Sequence, residues 1–201
     1  MATSKITVKD VLNPCLDPHK RFIKNAQELE KLVKDLKKKN HKIVLTQGVW
    51  DLVHEGHAKY LEKAKSFGDV LIVGVDSDAL TKQRKGPNRP IVPETERIRM
   101  ISHLRHVDIL TIRNIGEDIG DLIRLVKPDI LIVSKTTKDF TTQMKKDYKG
   151  ICGKVVDLEP QATTSTTGRI RQLSIEGAEK LAQKIKKLTD DFIEEIRNGK
   201  E

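Results

Sequence analysis

Two histidines three residues apart follow a short apolar run that ends in glycine, and they are the clearest chemical signal in this sequence. Residues 43–47 form a β-type run, and the segment from Gly48 to His57 reads Gly-Val-Trp-Asp-Leu-Val-His-Glu-Gly-His. Gly48 has no Cβ, so a phosphate can approach its backbone closely. Gly56 and His57 fall at the start of a predicted helix, where backbone N–H groups and the helix dipole favour anions. His54 and His57 can therefore donate hydrogen bonds to phosphate oxygens and stabilise the charge of a phosphoryl-type transition state.

A second group of donors stands about a hundred residues further along the chain. Ser165, Thr166 and Thr167 precede Ile170 at the start of a predicted late helix. Hydroxyl groups at a helix N-terminus form another cradle for phosphate. The alternative interpretation of such a run is an ordinary helix N-cap.

The same residues do not predict a metal centre. His54 and His57 have the spacing of two metal ligands, but no third ligand follows at a suggestive distance in the sequence. Cys15 and Cys152 provide neither a CxxC pair nor a disulfide framework. We therefore expect no protein-built metal site, and we expect a reducing, cytoplasmic environment.

Acidic and basic residues follow the second predicted strand. Asp76 and Asp78 come directly after it, at the edge of the sheet where α/β proteins bind ligands, and they are candidates for contacts with an acceptor hydroxyl. Capping of the next helix is the alternative for both. The segment from Lys82 to Ile91 reads Lys-Gln-Arg-Lys-Gly-Pro-Asn-Arg-Pro-Ile and is predicted to be a basic loop.

Strands that alternate with helices must position these groups. The predicted strands are 43–47, 70–75, 107–112, 130–133 and 154–158, and the predicted helices between them are 56–66, 94–104 and 118–126. Parallel pairing requires crossover connections, so this alternation indicates a parallel sheet covered by helices on both faces. The predicted fold is therefore α/β and Rossmann-like.

Helical segments extend this domain at both ends. Residues 1–40 form a lead-in with a helix that starts at Asn25, the predicted domain covers 41–174, and a long C-terminal helix occupies most of 175–201. That last helix carries an apolar stripe, which must be buried on the domain or on a second subunit. The members of the stripe are Ala178, Leu181, Ala182, Ile185, Leu188, Phe192, Ile193 and Ile196.

Composition limits the class of protein. The chain has 201 residues, with 37% hydrophobic and 33% charged, which suits one globular domain with a real core. No apolar stretch is long enough to span a membrane, and the first ten residues lack the pattern of a signal peptide. Lys and Arg total 38 against 29 for Asp and Glu, so the formal charge of +9 favours nucleic acid or phosphorylated small molecules as partners.

The segment Gly48–His57 resembles the signature of the cytidylyltransferase-like nucleotidyltransferase family, Gly-x-Phe-Asp-x-x-His-x-Gly-His, with Trp50 in the usual place of Phe. The run 164–170 is similar to the Ser-Thr-Thr-x-Ile element of that family, at the expected distance. The resemblance extends from about residue 42 to residue 172. It implies transfer of a nucleoside monophosphate from a nucleoside triphosphate to a phosphorylated acceptor, with release of pyrophosphate.

The resemblance also implies roles for individual residues. His54 and His57 hold the α-phosphate region, while Lys85 and Arg97 neutralise the β- and γ-phosphates, with Lys82 as a further candidate. The nucleotide pocket is then completed by Gly48, Trp50, Asp51, Gly56, Ser165, Thr166 and Thr167. Trp50 is also expected to pack in the core, and orientation of the histidine loop is the alternative role for Asp51. Mg²⁺ is expected to accompany the triphosphate, and the family suggests a homodimer.

Within the family, the sequence is most similar to the branch that acts on heptose 1-phosphate. That branch has a Lys-Gly-x-x-Arg-Pro-Ile loop, which matches 85–91, and a Val-Asp pair before the third strand, which matches Val107 and Asp108. The chain departs from the family at 134–140 and 159–164, both next to the expected base or acceptor pocket. These departures leave open ATP or CTP as donor, and a sugar phosphate or an alcohol phosphate as acceptor.

Two other classes compete with this interpretation. A nucleic-acid-binding module would account for the charge of +9, but aromatic residues are only 3% of the chain and no nucleic-acid-binding motif is present. We therefore expect no nucleic-acid partner. A fragment of a class I aminoacyl-tRNA synthetase would share the His-x-Gly-His motif, but the chain is too short for tRNA recognition, and 134–138 only poorly matches the second synthetase motif.

Overall fold

A computed structural model describes residues 6–13, 15–135, 140–161 and 166–198 of the chain. It contains two compact units, residues 1–163 and 164–201, and each is described by itself. The first contains the whole sheet, and the second consists of one long helix. Ser165 lies outside the described residues, and so do the side chains of Thr166 and Thr167.

The first unit is built around a five-stranded parallel sheet. Its strands are β1 (Ile43–Gly48), β2 (Val70–Asp76), β3 (Ile109–Arg113), β4 (Ile130–Ser134) and β5 (Lys154–Leu158), in the order β3-β2-β1-β4-β5. All four pairings are parallel. The order places β1 in the centre, and the chain leaves β1 toward β2 on one side while β4 lies on the other. Ligands bind at such a switch point, beyond the carboxyl ends of the strands.

Helices cover both faces of this sheet. In the first unit the helices are α1 (Val8–Val11), α2 (Ala26–Lys38), α3 (Glu55–Lys65), α4 (Asp78–Lys85), α5 (Glu94–Ser102), α6 (Asp121–Val126) and α7 (Thr142–Asp147). The second unit consists of α8 (Thr166–Asn198). Short 3₁₀ turns occupy Pro18–Arg21 and Tyr148–Gly150. The predicted α/β fold with a helical lead-in and a long C-terminal helix is confirmed.

The sheet separates two hydrophobic cores, one on each face, and successive side chains of a strand contribute to them in turn. On β1, Ile43 and Leu45 point to the core formed with α1, α2 and α6, whereas Val44 points to the core formed with α3 and α5. Successive side chains of a strand face opposite sides, so a sheet covered on both sides needs apolar residues at every position. β2 is covered on both faces in the same way, since all seven of its residues are buried. The lead-in thus shares a core with the sheet.

The boundaries of several elements differ from the prediction, for local reasons. The third strand starts at Ile109 rather than Val107, because the Val107 N–H donates to the Leu104 carbonyl and closes a turn. The sixth helix starts at Asp121 rather than Asp118, where a turn joins the two aspartates. The last helix begins at Thr166, ahead of the predicted C-terminal segment 175–201.

The predicted basic loop is partly helical. Ser77 caps α4 by accepting a hydrogen bond from the Leu80 N–H at 3.1 Å, and α4 then continues to Lys85. Gly86, with φ at +94°, ends the helix in a conformation that favours glycine. Lys82 and Lys85 are therefore helical residues at the C-terminal end of α4, where positive charge is favourable.

Within the described parts of the chain, no helix is long and apolar enough to cross a membrane.

The turn between α3 and β2 leaves no room for a side chain at Gly68. A Cβ placed there would lie 2.7 Å from the Lys42 carbonyl oxygen and 2.8 Å from the Val44 side chain. The same carbonyl accepts the N–H groups of Asp69 and Val70, so it cannot move freely. We expect Gly68→Ala to lower the free energy of unfolding by about 1–3 kcal/mol, measured by urea denaturation.

Gly150→Ala is the matched control for this prediction. A Cβ at Gly150 would meet nothing within 4 Å, so this variant should unfold within about 0.5 kcal/mol of the parent protein. Equal stability of the two variants would contradict the close packing of the turn.

Candidate functional site

The histidine pair lies at the carboxyl end of the central strand. Six residues after β1 the chain reaches His54, which is the N-cap of α3. Its Nδ1 accepts a hydrogen bond from the Gly56 N–H at 3.0 Å, and His57 Nδ1 accepts one from the His54 N–H at 3.3 Å. The ring centroids are 4.2 Å apart. Each ring therefore caps the start of α3 and lies against the other.

These hydrogen bonds determine which nitrogen of each ring carries the proton. A nitrogen that accepts a hydrogen bond from a backbone N–H must be unprotonated, so neutral His54 and His57 carry their proton on Nε2. Both rings then offer an Nε2–H donor beside the first turn of α3. Both imidazoles thus lie at the N-terminus of α3, and their hydrogen bonds to phosphate remain a prediction.

The environment of His57 keeps its ring neutral. Burial, together with repulsion from His54 and Lys85, lowers the pKa of His57 from 6.5 to about 4, against an opposing effect of Asp51. A ring with that pKa is uncharged at neutral pH. This influence also shows that Lys85, Asp51 and the two histidines share one electrostatic environment.

Trp50 forms a wall of the site. It is buried, as expected from the sequence, and its indole Nε1–H donates to the Gly74 carbonyl at 3.1 Å. Its ring meets the His57 ring edge-on, with centroids 5.6 Å apart. A Cβ at Gly48 would lie 3.5 Å from the same indole. Trp50 therefore lies against His57 and occupies the space beside Gly48 that a side chain there would approach.

The loop around Asp51 has an unusual backbone. Trp50 and Leu52 have positive φ angles of 58° and 45°, which is rare for residues with side chains. Such conformations cost on the order of 1–3 kcal/mol each and persist where the surroundings enforce them. Here the loop reverses the chain tightly between β1 and α3 and brings the Asp51 carboxylate inward.

Asp51 connects the histidine loop to the segment after α4. Its carboxylate accepts hydrogen bonds from the N–H groups of Ile91 and Val92, each at 3.0 Å, and pairs with Arg89 at 3.0 Å. The side chain is almost completely buried. Of the two roles considered from the sequence, these contacts support orientation of the loop.

The structure places Arg97 differently from the expected contact with triphosphate. Its side chain is fully buried, and its Nε donates to the Val92 carbonyl at 2.9 Å. Nη1 donates to the Val49 carbonyl, and Nη2 pairs with Asp78 at 2.6 Å. With these three contacts, Arg97 holds the segments that contain Val49, Asp78 and Val92 together.

Asp76 and Asp78, the candidates for acceptor contacts, are both engaged by arginines. Asp76 is fully buried and pairs with Arg113 at 2.7 Å and with Arg84 at 2.5 Å. Asp78 pairs with Arg97, as described above. Any contact between Asp76 and an acceptor hydroxyl would have to be made by a buried carboxylate that already pairs with two guanidinium groups.

The sequence interpretation did not identify Arg84, Arg89 and Arg113 as members of this network. A usable signal was available for Arg113, because it ends β3 just as Asp76 ends β2, and the carboxyl ends of adjacent parallel strands meet. Arg89 and Arg84 had no such signal, since their partners depend on how the loop after α4 folds.

The remaining predicted residues fall into two groups. Lys82 and Lys85 are exposed on α4, the helix that follows β2, and Gly56 supplies an N–H in the first turn of α3. Ser165 and the side chains of Thr166 and Thr167 lie outside the described residues, so their predicted phosphate contacts remain predictions. Among the described residues, no cluster of three His, Cys, Asp or Glu side chains could hold a metal ion.

Comparison with known proteins places this site in a family. The profile of the cytidylyltransferase-like family matches residues 45–173. Curated relatives include the Bifunctional protein HldE of Nitratiruptor, 49% identical over 57% of this chain, and that of Desulfatibacillum aliphaticivorans, 38% identical over 75% of it. The chain spans only 25% and 30% of the length of these two relatives.

Solved structures agree with this placement. The lipopolysaccharide core biosynthesis protein of Thermoplasma volcanium is 32% identical, with a TM-score of 0.51, and the match covers 59% of this chain and 96% of that protein. The pantoate-beta-alanine ligase of Francisella tularensis, 19% identical, matches 73% of this chain and 69% of its own with a TM-score of 0.53, which shows a shared fold.

The protonation state of His57 can be measured directly. We expect ¹H–¹⁵N spectra of the histidine rings to show the neutral Nε2–H form of His57 at pH 7 and a titration midpoint near 4. In the unfolded chain the same ring titrates near 6.5, so the unfolded state binds more protons between these values. Protonation of His57 should therefore reduce stability as the pH falls from about 6.5 through about 4. A midpoint near 6.5 would refute this account.

Proposed function

This chain belongs to the cytidylyltransferase-like family, and on that basis we propose that it transfers a nucleoside monophosphate from ATP or CTP to a sugar phosphate, releasing pyrophosphate. The family match confirms the resemblance seen in the sequence, and the relatives support the predicted class, a nucleotidyltransferase enzyme.

The observation that carries the proposal is the orientation of the two imidazoles. His54 and His57 use Nδ1 to accept backbone N–H groups, which leaves Nε2–H as the donor nitrogen of each ring at the N-terminus of α3. A neutral donor suits a phosphate that gains charge on its oxygens during transfer, because it needs no counter-ion of its own. The position beyond the carboxyl end of β1 is also where α/β sheets bind ligands.

The reaction requires no covalent enzyme intermediate. An oxygen of the acceptor phosphate attacks the α-phosphorus in line and forms the new P–O bond as the bond from the α-phosphorus to the bridging oxygen breaks. That bridging oxygen leaves with the β- and γ-phosphates as pyrophosphate. The acceptor already carries a charged oxygen, so catalysis consists of positioning and charge stabilisation. His54 and His57 act at the α-phosphate, and Lys85, with Lys82 near it, acts on the departing pyrophosphate.

Mg²⁺ is proposed to enter with the triphosphate. The aspartates nearest the site, Asp51, Asp76 and Asp78, each pair with an arginine, so the described residues provide no ready carboxylate cage. Mg²⁺ commonly keeps several waters and binds mainly through substrate phosphates. When bound, it would neutralise charge on the phosphate oxygens.

The acceptor is proposed to be a sugar 1-phosphate, with heptose 1-phosphate as the leading candidate and ATP as the favoured donor. The Lys85–Ile91 loop and its resemblance to the heptose branch support this choice. The structural relative from Thermoplasma volcanium is a lipopolysaccharide core biosynthesis protein, which is consistent with a sugar acceptor. Glycerol phosphate or another alcohol phosphate, with CTP, is the alternative.

The wider setting is part of the same proposal. We expect a cytoplasmic location, where nucleoside triphosphates are available, and a homodimer. The charge of +9 also suits nucleic acid, but the histidine site favours a small phosphorylated substrate. Binding of nucleic acid without any pyrophosphate release would favour the non-enzymatic alternative.

Pyrophosphate release tests the reaction. Purified protein with Mg²⁺ should release pyrophosphate only with one triphosphate among ATP, CTP, GTP and UTP and one acceptor among a panel of sugar and alcohol phosphates. The productive pair identifies both substrates. If folded protein released none with any pair, the proposed transfer to these acceptors would be wrong.

His57→Ala tests the role of the imidazole pair. Loss of one fixed donor to a developing charge should lower kcat by about 10²–10³-fold, with a much smaller change in the free energy of unfolding. His103→Ala is the control, because His103 is an exposed histidine at the C-terminal end of α5. This variant should leave kcat unchanged. A loss of kcat in His57→Ala fully explained by unfolding would remove the catalytic role.

A further inference from the structure

The long C-terminal helix exposes large apolar side chains along its length. Leu181, Ile185, Leu188 and Phe192 of α8 have 60%, 56%, 69% and 61% of their surface exposed. With Ala178 they recur at alternating intervals of three and four residues. We call these five residues the α8 seam. A contiguous apolar strip of this kind is typical of an interaction surface rather than of a free surface.

The spacing of the α8 seam specifies the kind of partner. Apolar residues that repeat about every 3.5 residues keep one narrow line facing a second helix, which is the geometry of a coiled coil. Ala182 and Ile193, which belong to the same apolar stripe, each directly follow a seam residue and widen the strip on that side. Charged residues border the seam on one side, where Lys184 and Asp191 each directly precede a seam residue. The partner is therefore another helix with a matching seam.

We propose that α8 pairs with α8 of a second copy of this chain, in antiparallel orientation about a twofold axis between Lys186 and Lys187. A twofold interface must complement itself. In this register Leu181 lies opposite the partner's Phe192, and Ile185 lies opposite the partner's Leu188, and both contacts occur twice. Each large side chain thus meets another large side chain across the seam.

Charge distinguishes this orientation from the parallel one. Lys184 and Asp191 occupy the same flank of the seam, one heptad apart. In the antiparallel pair, equivalent flanks face each other, so Lys184 lies near the partner's Asp191, and the reciprocal pair forms as well. In a parallel pair in register, the flank that carries Lys184 would face the partner's uncharged Thr189. Opposite charges therefore complement each other in the antiparallel arrangement.

Sedimentation equilibrium tests the pairing. The parent protein should form dimers, and Leu188→Lys should raise the dimer dissociation constant by about 100-fold or more, since it puts charge into the seam twice. Gln183→Lys adds the same charge on the side of α8 away from the seam and should leave the dimer unchanged. A monomeric parent protein, or a Leu188→Lys dimer of unchanged affinity, would overturn the proposal.

A charge exchange tests the flanking pairs without removing apolar surface. Asp191→Lys places like charges together in both symmetric pairs and should weaken the dimer roughly 10-fold at low salt. The double variant Lys184→Asp with Asp191→Lys should restore the affinity, which a merely misfolded helix would not do. Failure of the exchange to restore it would exclude these pairs.

Cysteine cross-linking tests the orientation. In a Cys15→Ser background, which removes the exposed native cysteine, Leu181→Cys and Phe192→Cys chains should form a mixed disulfide under mild oxidation. Phe192→Cys alone should not, because eleven residues of helical rise separate the two copies of position 192 by roughly 16 Å, beyond disulfide reach. Rapid cross-linking of Phe192→Cys alone would show a parallel pair. The inference does not rest on the proposed reaction, because oligomeric state and pyrophosphate release are measured separately.

Discussion

The buried guanidinium of Arg97 joins the three chain segments on which the candidate site depends. It donates to the Val49 carbonyl after β1, to the Val92 carbonyl before α5, and to the Asp78 carboxylate at the start of α4. A fully buried charge is tolerated only when it is paired and hydrogen-bonded, and removal of one partner typically costs several kcal/mol. The loops after β1 and β2 are thus fixed relative to each other by one side chain, and the histidine pair rests on that arrangement.

Charge around the carboxyl ends of the strands is arranged in two layers. In the buried layer, Asp76 pairs with Arg84 and Arg113, and Asp51 pairs with Arg89, so that these charges neutralise one another. Lys82 and Lys85, at the end of α4, are exposed instead. The surplus of basic residues in the composition therefore contains two physically different populations, one buried in ion pairs and one exposed at the surface. Composition alone does not separate them.

Much of the fold could be predicted because its signals are local. Apolar runs such as 70–75 mark buried strands, and the motif from Gly48 to His57 identifies the family and the position of the histidines. The role of Arg97 could not be predicted, because its partners are 48, 19 and 5 residues away and depend on how separate loops meet. The pairing of Asp51 with Arg89 likewise depends on how the loop after α4 folds, which periodicity does not reveal. The sequence therefore did not predict the polar pairs that join separate loops.

The two ring-to-backbone hydrogen bonds at the start of α3 have a thermodynamic consequence for substrate binding. A side chain that must be immobilised when a ligand arrives costs about 0.5–1.5 kcal/mol of conformational entropy. His54 and His57 are already held by the N–H groups of Gly56 and His54, so this cost is met when the protein folds. A nucleotide that enters the site therefore meets donors in place, and more of its contact energy can appear as affinity or as a lower barrier.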